Sequence, residues 1–180
     1  MISVKVPPLE MYNNETEEFV YFEGGTINLE YSLHALSLWE SKYHKPYLSR
    51  EEKTEDETYY FVECMCVDEE SKQYIHRLDG DGFKQIASYI EDPYTATTFR
   101  KTNTPPSREI ITAEILYYNM IACNIPLEFE HRNLNQLMVL IKVCAEKNNP
   151  NPKKVNQKEQ ISNWAELNKK RREAMKNGTV

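Results

Sequence analysis

Apolar and polar residues alternate along the first thirty positions and then change period. Ile2, Val4 and Val6 alternate with polar neighbours up to Pro7-Pro8, a break. Phe19-Val20-Tyr21-Phe22-Glu23 and Thr26-Ile27-Asn28-Leu29-Glu30 flank Gly24-Gly25. Two glycines between alternating runs predict a hairpin turn there, because both turn positions need positive φ. Val20 and Phe22 then share a face with Ile27 and Leu29. A lone hairpin is marginal in water, so this one is expected to pack on helices or to pair with another chain.

From Tyr31 the period becomes helical. Ser32, Leu36, Trp39 and Tyr43 lie on one stripe, and Pro46 stops the run. Thr54 with Glu57 three residues on is a capping box for a helix reaching about Cys66. Asp79-Gly80-Asp81-Gly82 reads as a turn, with Asp81 capping a short helix that carries Phe83, Ile86 and Ile90 and ends at Pro93. Tyr94 to Pro106, rich in threonine, reads as an exposed loop. Ser107 opens the most apolar helix, Arg108 to about Cys123. Ile110, Ile111, Ile115, Leu116, Tyr118, Met120 and Ile121 cover most of its circumference, which predicts a central core helix closed by Asn124-Ile125-Pro126. Leu134, Leu137, Met138, Ile141 and Cys144 make a narrower stripe on the next helix, ending near Lys147.

Beyond it, Asn148-Asn149-Pro150-Asn151-Pro152 reads as a linker. Asn156 with Glu159 then starts a last helix with a thin apolar edge of Ile161, Trp164, Ala165, Leu167 and Met175, closed by Gly178. The expected fold is mainly α (α+β): a helical core with an N-terminal β-hairpin and a C-terminal helical arm. Its parts are a hairpin or arm over 1–30, a helical core domain over 31–147, a linker over 148–155 and a basic helix over 156–178.

Charge changes the meaning of that last helix. Residues 1–150 hold 25 acids against 14 Lys or Arg, a net of about −11, whereas residues 151–180 hold 8 basic residues against 3 acids, a net of about +5. So sharp a reversal marks an element that meets a different surface from the body. Lys169-Lys170-Arg171-Arg172 would form a collar around a helix, with Trp164, Leu167 and Met175 as hydrophobic anchors. These seven residues are the candidate partner-binding set. The collar reads either as a solvated helix or as a docking element. An acidic body repels nucleic acid, so the expected target of docking is an acidic protein surface, on a partner or a second copy. With 40% apolar and 28% charged residues the chain reads as folded, and no run approaches a membrane span or a signal peptide. An intracellular site of synthesis is the expectation.

Candidate chemistry is sparse. Cys64, Cys66, Cys123 and Cys144 fit a reducing compartment as buried thiols. Zinc on Cys64, Cys66, His76 and His131 is the sharper alternative, against which stands the absence of paired C-x-x-C or H-x₃₋₅-H spacing. The Asp79-Gly-Asp-Gly run begins like a calcium loop but has Phe83 and Lys84 where a ligand and a glycine belong. Glu109 and Glu114, five apart, diverge by about 140° around a helix axis and make no acid–base pair. His34, His44, His76 and His131 share no spacing with a nucleophile. No enzyme activity, metal or cofactor is expected.

Four segments carry a resemblance: Tyr31–Leu48, Ile110–Leu127, Leu134–Asn148 and Trp164–Arg172. Together they resemble a tailed-bacteriophage family of tail assembly chaperones and minor tail proteins. The resemblance spans about Leu29 to the C-terminus and includes no catalytic residue. The chain departs from the family in being polar at Asn119 and Arg132-Asn133, where aromatics are usual. The resemblance implies a non-catalytic chaperone that binds the tape measure protein, in the host cytoplasm during assembly, with self-association. The alternative is a structural subunit of the virion tail, baseplate or head–tail junction. Membrane and nucleic-acid partners are not expected.

Overall fold

In a computed structural model, the structure describes residues 1–99 and 110–148, together with Ala165 and Asn168. The chain divides into two compact units, Met1–Ala145 and Glu146–Val180.

The first unit opens with four strands: β1 (Ile2–Val6), β2 (Leu9–Asn13), β3 (Glu18–Phe22) and β4 (Gly25–Leu29). They form one long antiparallel hairpin interrupted in the middle. β1 pairs with β4 from Ile2↔Leu29 to Val6↔Gly25, and β2 pairs with β3 from Leu9↔Phe22 to Asn13↔Glu18. The register is continuous, so Pro7-Pro8 face Glu23-Gly24 across the interruption. Proline supplies no amide hydrogen, and the ladder lapses where two occur together.

This corrects the expected hairpin in two respects, of which the first is β2, a strand absent from the sequence reading. Second, the strands around Gly24-Gly25 do not fold on each other; the turn is at Asn14–Glu17, with Glu17 at φ 55°. The glycines serve close approach. A Cβ on Gly24 would lie 2.8 Å from the Val6 carbonyl oxygen, and one on Gly25 2.5 Å from the Tyr74 ring.

The inner half of the hairpin belongs to the core. Val4, Val6, Ile27 and Leu29 are buried. The Glu30 amide donates to the Met65 carbonyl (2.8 Å) and the Val67 amide to the Asn28 carbonyl (3.0 Å), so the far edge of β4 is covered.

Five α-helices and two 3₁₀ segments follow among the described residues up to Lys147. Helix α1 (Leu33–Tyr43) is capped by Ser32, whose Oγ accepts from the Ala35 amide at 3.2 Å. It ends at His44 in the left-handed conformation, two residues before Pro46. Helix α2 (Glu55–Met65) carries the complete Thr54–Glu57 capping box. The 3₁₀ segment η1 (Glu69–Arg77) leads to α3 (Gly80–Glu91). Its cap is Asp79, which accepts from the Gly82 amide at 2.7 Å, and not Asp81, which lies inside the first turn and pairs with Lys84. Helix α4 (Ala113–Ala122), the 3₁₀ segment η2 (Leu127–His131) and α5 (Leu134–Lys147) complete the described order.

Leu33, Leu36 and Trp39 of α1 meet Phe61, Val62 and Met65 of α2, Leu116 and Met120 of α4, and Leu134, Leu137 and Ile141 of α5 in one core. The architecture is therefore α+β, with a helical body. No helix among the described residues is long and apolar enough to cross a membrane.

The most apolar helix departs from its sequence reading. It begins at Ala113, since Ile110–Thr112 are not helical. Only Ala113, Leu116 and Met120 of α4 are buried, while Tyr118 and Ile121 face solvent, as do Ile110 and Ile111 ahead of it. Packed by α1 on one side, it is a flank of the core and not its centre. Of the expected loop over 94–106, the described part, residues 94–99, is irregular.

Candidate functional site

The outer half of the hairpin stands apart from ordinary sheet chemistry. Leu9, Met11, Tyr12, Phe19, Val20, Tyr21 and Phe22 are between 37% and 69% exposed. Leu9 pairs with Phe22 and Met11 with Val20 on one face; Tyr12 pairs with Phe19 on the other. The last two rings meet edge to face at 5.1 Å. A sheet with a single buried side shows polar residues on its other face. Here both faces are apolar and neither is covered among the described residues. β2 and β3 have no third strand among these residues, so their outer backbone groups can accept another chain.

The charge of the ribbon is one-sided. Between Pro7 and Glu23 the chain carries Glu10, Glu15, Glu17, Glu18 and Glu23, with no lysine or arginine. The surface is thus apolar and acidic together, complementary to a partner with apolar and basic side chains.

Arg77, at the end of η1, holds the elbow between the two halves. Its Nη1 donates to the Glu23 carbonyl at 2.9 Å, and its Nη2 to the Pro7 carbonyl at 2.9 Å. A longer contact, 3.4 Å, reaches the Phe22 carbonyl. These carbonyls lie beside the interrupted ladder, and one guanidinium fork serves both strands. The ring of Phe22 lies 5.7 Å from the guanidinium and that of Tyr74 at 5.8 Å. Nothing in the sequence pattern singled out Arg77, because its partners lie more than fifty positions away.

Ile110 and Ile111 ahead of α4, Tyr118 and Ile121 on it and Leu127 after it are exposed apolar residues as well. The sequence-derived partner set of Trp164, Leu167, Lys169, Lys170, Arg171, Arg172 and Met175 lies outside the described residues, as do the Asn156 cap, Gly178 and the 148–155 linker beyond Asn148. Of the arm, Ala165 and Asn168 are helical.

The body also contains polar cavities. One, of about 610 Å³, is walled by Lys42, Glu55, Tyr59 and His76 among others. Another, of about 580 Å³, is lined by Ser32, His34, Glu63, Cys64, Cys66 and His131. All four cysteines are free and half-buried. Burial pushes the thiols of Cys64 and Cys66 up to about 11, so both are protonated at neutral pH. His76 stands against the Tyr59 ring at 5.5 Å and lines the other cavity. Of the zinc set weighed from sequence, Cys64, Cys66 and His131 line one cavity and His76 the other, so the four are not brought together. His131 instead meets His34, with ring centroids 4.8 Å apart.

Compared with family models, curated proteins and solved structures, the chain matches none.

Proposed function

We propose that this chain is a non-catalytic tail assembly chaperone of a tailed bacteriophage that binds the tape measure protein. The observation that carries the reading is the β2–β3 ribbon, apolar on both faces and flanked by glutamates alone. A patch of this kind marks a surface meant for another protein. A long helical partner with apolar stripes and basic flanks would be covered by it. The acidic body would keep such a complex in solution. The resemblance of the helical segments to tail assembly proteins supplies the partner's identity, and the host cytoplasm as the place of action.

A second reading is favoured by the unpaired edges of β2 and β3. A structural subunit of the tail, baseplate or head–tail junction would use them to extend a neighbour's sheet. In both readings the basic segment 153–176 of one copy has the apolar and positive side chains that the ribbon of another copy complements. Self-association follows from that match.

Mass spectrometry of purified particles separates the two. The chaperone is expected to be absent from finished tails, and its presence at subunit stoichiometry overturns the chaperone reading. Co-expression tests the ribbon itself. The wild-type chain is expected to hold the tape measure protein soluble, and a Phe19→Ser, Tyr21→Ser variant to lose that effect. Equal solubility with the variant removes the ribbon from the mechanism.

A further inference from the structure

We propose that His34, Glu130 and His131 form a binding site for a single divalent cation of the zinc class. The ligand atoms of the three side chains all lie within 4.8 Å of one another. His34 comes from the first turn of α1, and Glu130 with His131 from the end of η2.

The backbone brings them together. The Leu134 amide donates to the Tyr31 carbonyl at 2.7 Å, and Ser32 bridges Asn133. This crossing lies within three residues of each histidine, so the juxtaposition is built into the main chain and does not depend on side-chain rotamers alone.

Glu130 is held in place. The Tyr117 hydroxyl donates to its Oε2 at 2.5 Å, and its Oε1 lies 3.4 Å from His131 Nε2. A hydrogen bond that occupies one carboxylate oxygen and leaves the other forward is the usual outer support of a metal-binding carboxylate. The two rings are tilted by 53° and not stacked.

Two imidazoles and one carboxylate suit zinc and its transition-metal neighbours better than magnesium or calcium. Ligand atoms sharing a tetrahedral zinc stand about 3.4 Å apart, so the widest pair closes by about 1.4 Å. His131 has the freedom for that movement, being 62% exposed. Both imidazoles line the cavity of about 580 Å³, which gives the ion an approach from solvent and room for a water as fourth ligand. The neighbouring Arg132 does not oppose the cation directly, because its guanidinium stacks over Phe129 at 4.2 Å. Cys64 and Cys66 are on the wall of the same cavity, but the close group of ligand atoms is made by His34, Glu130 and His131 without them.

The test uses the full chain after chelator treatment, with Co²⁺ alone followed by visible absorption and Zn²⁺ alone by equilibrium dialysis. One equivalent per chain is expected, with a cobalt spectrum of nitrogen and oxygen ligation. His34→Ala and His131→Ala are each expected to weaken binding by about 100-fold or more, and Tyr117→Phe by about tenfold. Cys64→Ser with Cys66→Ser is expected to leave affinity and spectrum unchanged. Should His34→Ala fail to fold, the exposed position carries the test as His131→Gln. Lack of saturable binding in the wild type overturns the site. So does wild-type affinity in a folded His131 variant, or a thiolate charge-transfer band from cobalt. Each result stands whether or not the chain proves to be a chaperone.

Discussion

Glu40 lies on the inner side of α1, buried, with its carboxylate serving two amides. Its Oε1 accepts from Tyr47 at 2.8 Å and its Oε2 from Ala113 at 2.7 Å. Ala113 is the first residue of α4, whose nominal cap Thr112 makes no side-chain capping hydrogen bond. A residue 73 positions away therefore supplies the missing acceptor at a helix N-terminus, where a negative charge is favoured. Glu40→Gln turns one acceptor into a donor and leaves a buried amide unpaired. The expected loss is about 1–3 kcal/mol in a urea melt. A change under about 0.5 kcal/mol, ordinary for a surface site, would contradict the role. Glu57 answers to pH instead. Its hydrogen bond with Lys45 and the Thr54 amide hold its carboxyl below the usual 4.5. A depressed acid stabilises the fold above its unfolded pKa, and that contribution is lost as pH falls through the folded one. Stability should therefore drop as pH is lowered below about 4.5. Acid titration of Glu57→Gln by circular dichroism should show a shallower fall; an identical curve would assign the acid limb to other groups. The capping box was legible in sequence because its members are three residues apart. Glu40 was not, because its partners are brought to it by the fold.

At the scale of elements, the interrupted hairpin shows how far alternation can be read. β1, β3 and β4 were evident from their apolar and β-branched residues, whereas β2 was not read as a strand. The pairing was not evident either, since Gly24-Gly25 satisfies a turn and an elbow equally well. The choice was made by Pro7-Pro8, which lapse the ladder opposite the glycines, and by Tyr74, whose ring fills the space a side chain at Gly25 would need. Arg77 then bonds both strands at the gap. Arg77→Ala is expected to speed amide exchange across β2 and β3 by about five- to tenfold, the loss of roughly 1 kcal/mol of local stability. β1 and β4 should exchange as before, because their contacts are in the core. Uniform acceleration of all four strands would place Arg77 in global stability instead. Helix α4 teaches the converse lesson. Apolar residues all round predicted full burial, yet its outer face is bare. Composition tells how much apolar surface a helix has, and only neighbours decide how much of it is covered.

Across the whole molecule, an acidic body precedes a basic segment on one chain. If the segment docks on the ribbon of another copy, attraction between them falls with salt. Reversing Lys169, Lys170, Arg171 and Arg172 to glutamate should weaken self-association by about tenfold at low salt, the sum of four modest ion pairs. Sedimentation should show the difference shrinking as salt is raised; equal association at low salt would remove the segment from the interface. Sequence alone determined the α+β character, the stop of α1 ahead of Pro46, the Thr54 capping box and α5 to about Lys147. Those features depend on neighbours within a few positions, where period, caps and prolines act directly. Tertiary structure decided the hairpin's register, the exposure of the ribbon and of α4, the Glu40 acceptor and the meeting of His34 with Glu130 and His131. Each joins residues separated by tens of positions or depends on what remains uncovered, and neither quantity is written in local periodicity.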